Sequence, residues 1–169
     1  MDNLSPQTLS IRTAQPDDVI HLLRIQLDAL RALCIHDYTP EQIEALVGRN
    51  IRYSSLGGNR REITLVAEVD GVRVGLCSLL GDRITALYVH PQFARRGIGT
   101  QLLNAVERMA KTHNIKILRV AASLTARPFY QANGYRVGGE SYLVADRGLR
   151  IPYINMKKYL LFSFNLMEF

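Results

Sequence analysis

Two periodicities that belong to different secondary structures meet within a few residues near the middle of the chain, and the link between them constrains the fold most. Ile84-Thr85-Ala86-Leu87-Tyr88-Val89-His90 is rich in β-branched and aromatic residues and reads as a strand. Beyond it, Ile98, Leu102, Val106 and Met109 recur at helical spacing, with Gln101, Glu107, Arg108 and Lys111 between them. The join, Arg95-Arg96-Gly97-Ile98-Gly99-Thr100, therefore lies between a strand and the first turn of a helix.

The first N–H groups of a helix have no intrahelical acceptors, and the positive end of the macrodipole points out of that end. Glycine lets the backbone approach a ligand closely, and Arg95 and Arg96 add two permanent charges. Physically the link is a pyrophosphate cradle. It is neither of the two better-known phosphate loops. No third glycine completes a dinucleotide fingerprint, and no Gly-Lys-Ser/Thr follows to make a nucleotide P-loop.

The stretch resembles the acyl-CoA loop of the GNAT superfamily of N-acetyltransferases, Gln/Arg-x-x-Gly-x-Gly/Ala. One position departs: the family's leading Gln or Arg falls on Ala94, and the charge comes from Arg95 and Arg96 instead. A second stretch, Ser123-Leu124-Thr125-Ala126-Arg127-Pro128-Phe129-Tyr130-Gln131-Ala132-Asn133-Gly134-Tyr135, resembles the family's later motif, Ala-x-x-Phe-Tyr-x-x-x-Gly-Phe/Tyr. Two motifs in the right order and local context are far more specific than either alone.

The resemblance implies acetyl-CoA as co-substrate, no metal, and direct transfer of the acetyl group to an amine in a ternary complex. It implies that Leu87, Tyr88 and Val89 bond the pantetheine arm through their backbones, where the family's strand splays from the next. Residues 95–100, that is Arg95, Arg96, Gly97, Ile98, Gly99 and Thr100, would hold the phosphates. Tyr130 takes the position of the family tyrosine that meets the CoA sulfur, as general acid. Ser123 would either bond the cofactor or cap the following helix, and Arg127 is a further candidate for a CoA phosphate. The glutamate that many members carry shortly before this strand is missing, since Asp82, Arg83 and Ile84 occupy that region. His36 and Glu68 remain as candidates for a base, and Tyr38 for lining an acceptor pocket. Neither motif contains a cysteine, so an acyl-enzyme route has no visible nucleophile.

At 169 residues the chain is expected to form a single domain spanning 1–169 with a sizeable core. It is 47% hydrophobic and 21% charged, with no repeat, no signal-peptide layout and no membrane-spanning run. Cys34 and Cys77 match no metal or redox spacing and read as buried free thiols in a cytoplasmic protein. The net charge of +6 suits anionic small molecules such as CoA. Nucleic acid is not the expected partner, because no basic stripe with interleaved aromatics is visible along the chain.

Taken in order, the chain predicts a strand at Leu9–Arg12, a helix from Pro16 to Cys34, and a second helix starting at the capping-box sequence Thr39-Pro40-Glu41-Gln42. A loop from Asn50 to Arg60 follows, then strands Ile63–Val69 and Val72–Leu80 around an Asp70-Gly71 hairpin. After the central strand and helix come a strand at Lys116–Ala122, a short helix ended by Gly134, and strands at Arg136–Ala145 and Leu149–Lys157. This is an α/β layout: a mixed twisted sheet of about seven strands flanked by about four helices, which matches the GNAT fold. The apolar stretch 161–169 falls outside the pattern, as an edge strand, a homodimer surface or a frayed end. The acceptor stays open between a small amine, an antibiotic and a protein amine. Two rival readings are a CoA-binding regulatory module without catalysis and a toxin-type enzyme acting on aminoacyl-tRNA.

Overall fold

Two tight turns set the middle of the sheet. Strand β2 (Glu62–Val69) turns at Asp70 and Gly71, with φ of 51° and 80°, into β3 (Val72–Leu80). Positive φ at both central residues is the primed turn that matches strand twist. Gly81, at φ 60°, opens a second two-residue turn into β4 (Arg83–Val89). The remaining strands are β1 (Leu9–Thr13), β5 (Ile117–Ala122), β6 (Arg136–Val144) and β7 (Arg150–Tyr159). They form one sheet in the order β1-β2-β3-β4-β5-β7-β6. Every neighbouring pair is antiparallel except β4 and β5. The computed structural model describes residues 8–52 and 61–161.

Helices cover both faces. On one lie α1 (Val19–Leu33) and α2 (Pro40–Arg52), where Leu22 and Ile25 pack on Val66 and Leu76. On the other lie α3 (Ile98–Thr112) and α4 (Arg127–Ala132), where Leu102, Leu103 and Val106 pack on Leu65, Ala67 and Cys77. Because β2 feeds both cores, Leu65-Val66-Ala67 reads as a continuous apolar run instead of alternating. Among the described residues, seven strands and four α-helices agree with the expected α/β layout.

The local signals explain the element ends. Thr39 Oγ1 accepts the Gln42 N–H at 3.2 Å while Gln42 Oε1 accepts the Thr39 N–H at 3.0 Å, a reciprocal capping box. After α4, Tyr135 N–H reaches Tyr130 O and Gly134 N–H reaches Gln131 O, each at 3.0 Å, with Gly134 at φ 86°. That is a Schellman stop, and it fixes where Tyr130 sits. Asn50–Arg52 belong to α2, a correction to the expected loop, because the Pro40-initiated helix keeps its i→i−4 bonds to that point. The rest of that loop, and the tail beyond Leu161, lie outside the described residues.

Candidate active site

The parallel pair β4 and β5 is joined at one end only. Arg83 stands opposite Arg119 and Ile84 opposite Val120, and the ladder stops there. That end is pinned by the Arg119 N–H to Asp82 O at 2.9 Å and by an Arg119–Asp82 ion pair. From Ala86 onward β4 bonds β3 alone, so a wedge opens towards the carboxyl ends of β4 and β5, where α/β sheets hold their ligands.

The antiparallel phase decides which backbone groups face that wedge. His90 N–H donates to Val74 O at 2.8 Å, so His90, Tyr88 and Ala86 are the hydrogen-bonded positions against β3. The N–H and C=O groups of Leu87 and Val89 therefore turn away from β3, into the gap. Gly75 fits this arrangement, since a Cβ there would lie 3.0 Å from Tyr88 O. The three strand residues singled out in the sequence thus divide. Leu87 and Val89 present free backbone groups, whereas the backbone of Tyr88 is committed to Leu76. The Tyr88 phenol instead accepts from Asn50 Nδ2 at 3.2 Å, and Asn50 also donates to Gln26 at 3.1 Å. A bulge at Thr85, which has no partner on β3, lets both Ile84 and Leu87 face the α3 core.

At the wedge mouth the chain forms an anion nest. Arg95 (φ 64°) and Gly97 (φ 79°) are left-handed, while Arg96 between them is not. Alternating hands turn successive N–H groups to one side. Among the described residues, the N–H groups of residues 95–100 meet no protein acceptor; the first to do so is Gln101, to Gly97 O at 3.0 Å. Arg95 and Arg96 are both exposed, and Arg96 lies 5.2 Å from the Phe93 ring centroid. A Cβ on Gly97 would enter open space. A Cβ on Gly99 would instead stand 3.3 Å from the Phe129 ring and 3.7 Å from Leu87. Gly99 thus also serves packing against the second motif, whereas Gly97 borders open space.

That contact brings the second motif onto the first. Phe129 and Tyr130 meet edge to face at 5.2 Å, as do Tyr130 and Tyr135. Tyr130 is 4% exposed, and burial pushes its phenol well above the ordinary tyrosine range, so it stays protonated. Its hydroxyl has no hydrogen bond among the described residues, yet it is not sealed in the core as the Tyr135 hydroxyl is. Ser123 Oγ accepts the Ala126 N–H at 3.0 Å in the turn that leads into α4, whose N-cap is Ala126, and keeps its own hydrogen to donate.

Two of the remaining candidates are engaged elsewhere. Tyr38 is a buried post: its hydroxyl accepts the Leu124 N–H and donates to Pro152 O, both at 2.8 Å. It ties the α1–α2 junction to the end of β5 and to β7. Glu68 is held by Arg12 at 2.6 Å, and His36 is exposed on its turn. Arg127 is half-buried on the first turn of α4. The wedge, the Gly99–Phe129 contact and the Tyr38 post are long-range features, invisible to a reading by local spacing.

A strand split from its parallel neighbour, with an anion nest at the mouth and a protonated tyrosine beside it, defines an acetyl-CoA-dependent N-acetyltransferase. Residues 34–160 match the acetyltransferase (GNAT) domain, and the chain belongs to that family. It is similar to the uncharacterized N-acetyltransferase YafP of Escherichia coli K12, 28% identical over 134 residues that cover 76% of this chain and 81% of YafP. Its structure resembles that of a GCN5-related N-acetyltransferase from Rhodopseudomonas palustris, with a TM-score of 0.85 and 30% identity over 94% of this chain and all of that one. The PaiA N-acetyltransferase of Thermoplasma acidophilum, solved in complex with coenzyme A, shares the fold with a TM-score of 0.66 and 21% identity, covering 90% of this chain and 99% of that one.

Proposed function

We propose that this enzyme moves an acetyl group from acetyl-CoA directly to an amine, with both substrates bound together. The observation that carries the reading is the β4–β5 split, with the free groups of Leu87 and Val89 inside it and the nest of Arg95–Thr100 at its mouth. The site fits acetyl-CoA on its own geometry. Two strand residues with free N–H and C=O groups suit an amide-bearing arm, and six N–H groups with no acceptor among the described residues, beside two exposed arginines, suit a pyrophosphate. The thioester supplies the activated acetyl group.

In this reading Leu87 and Val89 orient the pantetheine arm and set an N–H near the thioester oxygen, where negative charge develops. Tyr130, kept protonated by burial, donates to the departing thiolate. Ser123 adds a hydroxyl donor near the end of β5. The amine must arrive neutral; arginines hold the Asp82 and Glu68 carboxylates and His36 lies exposed on its turn, so none of them is assigned as the amine's base. Its proton leaves to water. The acceptor is a small-molecule or protein amine. Thiol release from acetyl-CoA across a panel of amines tests the reading: amine-dependent release is expected. Tight acetyl-CoA binding with no release for any amine would favour the regulatory module instead.

A further inference from the structure

The register of the sheet assembles a feature that no stretch of the sequence contains. Arg83 on β4 stands opposite Arg119 on β5, Arg119 opposite Lys157 on β7, and Lys157 opposite Arg136 on β6. Four cations therefore lie in one row across four adjacent strands. Their neighbours Ile84, Val120 and Met156 pack into the α3 core, so by alternation the row projects from the opposite face. There Arg83, Lys157 and Arg136 are exposed and Arg119 is half-exposed. At the usual strand separation the row spans about 14 Å, and it lies roughly 20 Å along β4 from Val89.

Like charges directly opposite each other destabilise a sheet, so this row weakens the fold it sits on. Little nearby offsets it. Asp82 pairs with Arg119, and Glu62 is engaged by the Thr85 hydroxyl. Among the described residues, Arg83, Lys157 and Arg136 have no carboxylate partner. The flanking rows carry no acid either: Ala121, Asn155 and Gly139 on one side, Ile117 and Tyr159 on the other. Tyr159 is 55% exposed, and Lys157 Nζ lies 5.5 Å from its ring centroid.

We propose that this exposed end of the sheet face is a docking surface for single-stranded nucleic acid, with phosphates along the Arg83–Arg119–Lys157–Arg136 row and a base stacked on Tyr159. A row of unpaired cations with an exposed aromatic beside it is the chemistry of sequence-tolerant strand binding. The site is separate from the acetyl-CoA nest, at the closed end of the wedge.

The test is fluorescence anisotropy of the full chain with labelled oligouridylate and oligothymidylate of about fifteen nucleotides, across a salt series from roughly 50 to 200 mM. The variants are the triple Arg83→Gln/Arg136→Gln/Lys157→Gln, which leaves Arg119 to close the wedge, and Tyr159→Ala. The triple variant should bind at least tenfold more weakly, with a log–log salt slope reduced by about 2, three phosphates at about 0.7 each. Its melting temperature should hold or rise, because a repulsive row has been removed. Tyr159→Ala should weaken binding about fivefold or more with an unchanged slope. Binding in either oligonucleotide arm supports the surface, and a preference between them reports on the 2′-hydroxyl and the base methyl together. Three results would overturn it: an equal salt slope in the triple variant, displacement of the oligonucleotide by acetyl-CoA, or equal row-dependent binding of polyglutamate or phosphatidylserine vesicles.

Discussion

Gly99 and Phe129 are in contact: a Cβ added to the glycine would stand 3.3 Å from Cε2 of the ring. The Arg95–Thr100 loop and α4 are therefore one packed unit, and the loop's shape bears on the position of Tyr130, the residue after Phe129.

The two glycines of the loop should fail differently. Gly99→Val forces side-chain atoms into the Phe129 ring and should lower stability by about 1–3 kcal/mol, while also weakening acetyl-CoA binding. Gly97→Val puts a β-branched residue at φ 79° with open space beside it. It should weaken acetyl-CoA binding through loss of the nest, at a backbone cost of about 1–3 kcal/mol. Calorimetry and thermal melting check both, and affinities within about twofold of wild type in both variants would contradict the phosphate role.

Arg95 and Arg96 should act on phosphate through charge. Arg95→Ala/Arg96→Ala should bind CoA less tightly and with a flatter salt dependence, since both side chains are exposed and screened by ions. Cofactor lacking the 3′-phosphate should lose affinity as much as the complete molecule if the contact is to pyrophosphate. An unchanged salt slope would mean that only the backbone N–H groups hold the phosphates.

Much of this was legible in the sequence because the signals are local. Thr39-Pro40-Glu41-Gln42 specifies a helix start, Asp70-Gly71 a hairpin and Gly134 a helix stop, each through its own backbone chemistry. The two motifs likewise pick out Arg95–Thr100 and Tyr130 as candidates. What the sequence withheld depends on partners far away in the chain. The phase that commits Tyr88 to β3 is set by Val74, the packing role of Gly99 by Phe129, and the capture of Tyr38 by Leu124 and Pro152. The cation row is the clearest case, because strand register creates it from residues that are solitary in sequence.

A pH dependence of stability should trace to Asp18, which is 1% exposed. Hydrogen bonds from Arg12 are the main reason its carboxyl lies well below the ordinary range. Burial opposes them, and the Gln15 N–H and Arg73 add to the lowering. A depressed folded-state pKa means that the unfolded chain takes up the proton first. The stabilisation is therefore complete above the unfolded value, about 3.9, and is lost as pH falls through the lower folded value. Asp18→Asn should cost about 3 kcal/mol near neutral pH by removing the carboxylate that Arg73 and Arg12 share, leaving Arg12 with Glu68 alone, and the gap from wild type should narrow below about pH 4. Urea unfolding across that range checks this, and parallel profiles would contradict it.

The most direct test of the mechanism is the rate ratio between wild type and Tyr130→Phe on two donors, acetyl-CoA and an acetyl thioester whose thiol is more acidic. Phenylalanine keeps the ring contacts with Phe129 and Tyr135 at 5.2 Å and removes only the hydroxyl. Turnover on acetyl-CoA should fall roughly 10- to 1,000-fold, the range for a lost acid, with acetyl-CoA affinity little changed. The loss should shrink on the more acidic donor, whose leaving thiolate needs less protonation. An equal ratio on both donors, or no loss on either, would contradict the assignment and leave Tyr130 as a packing residue.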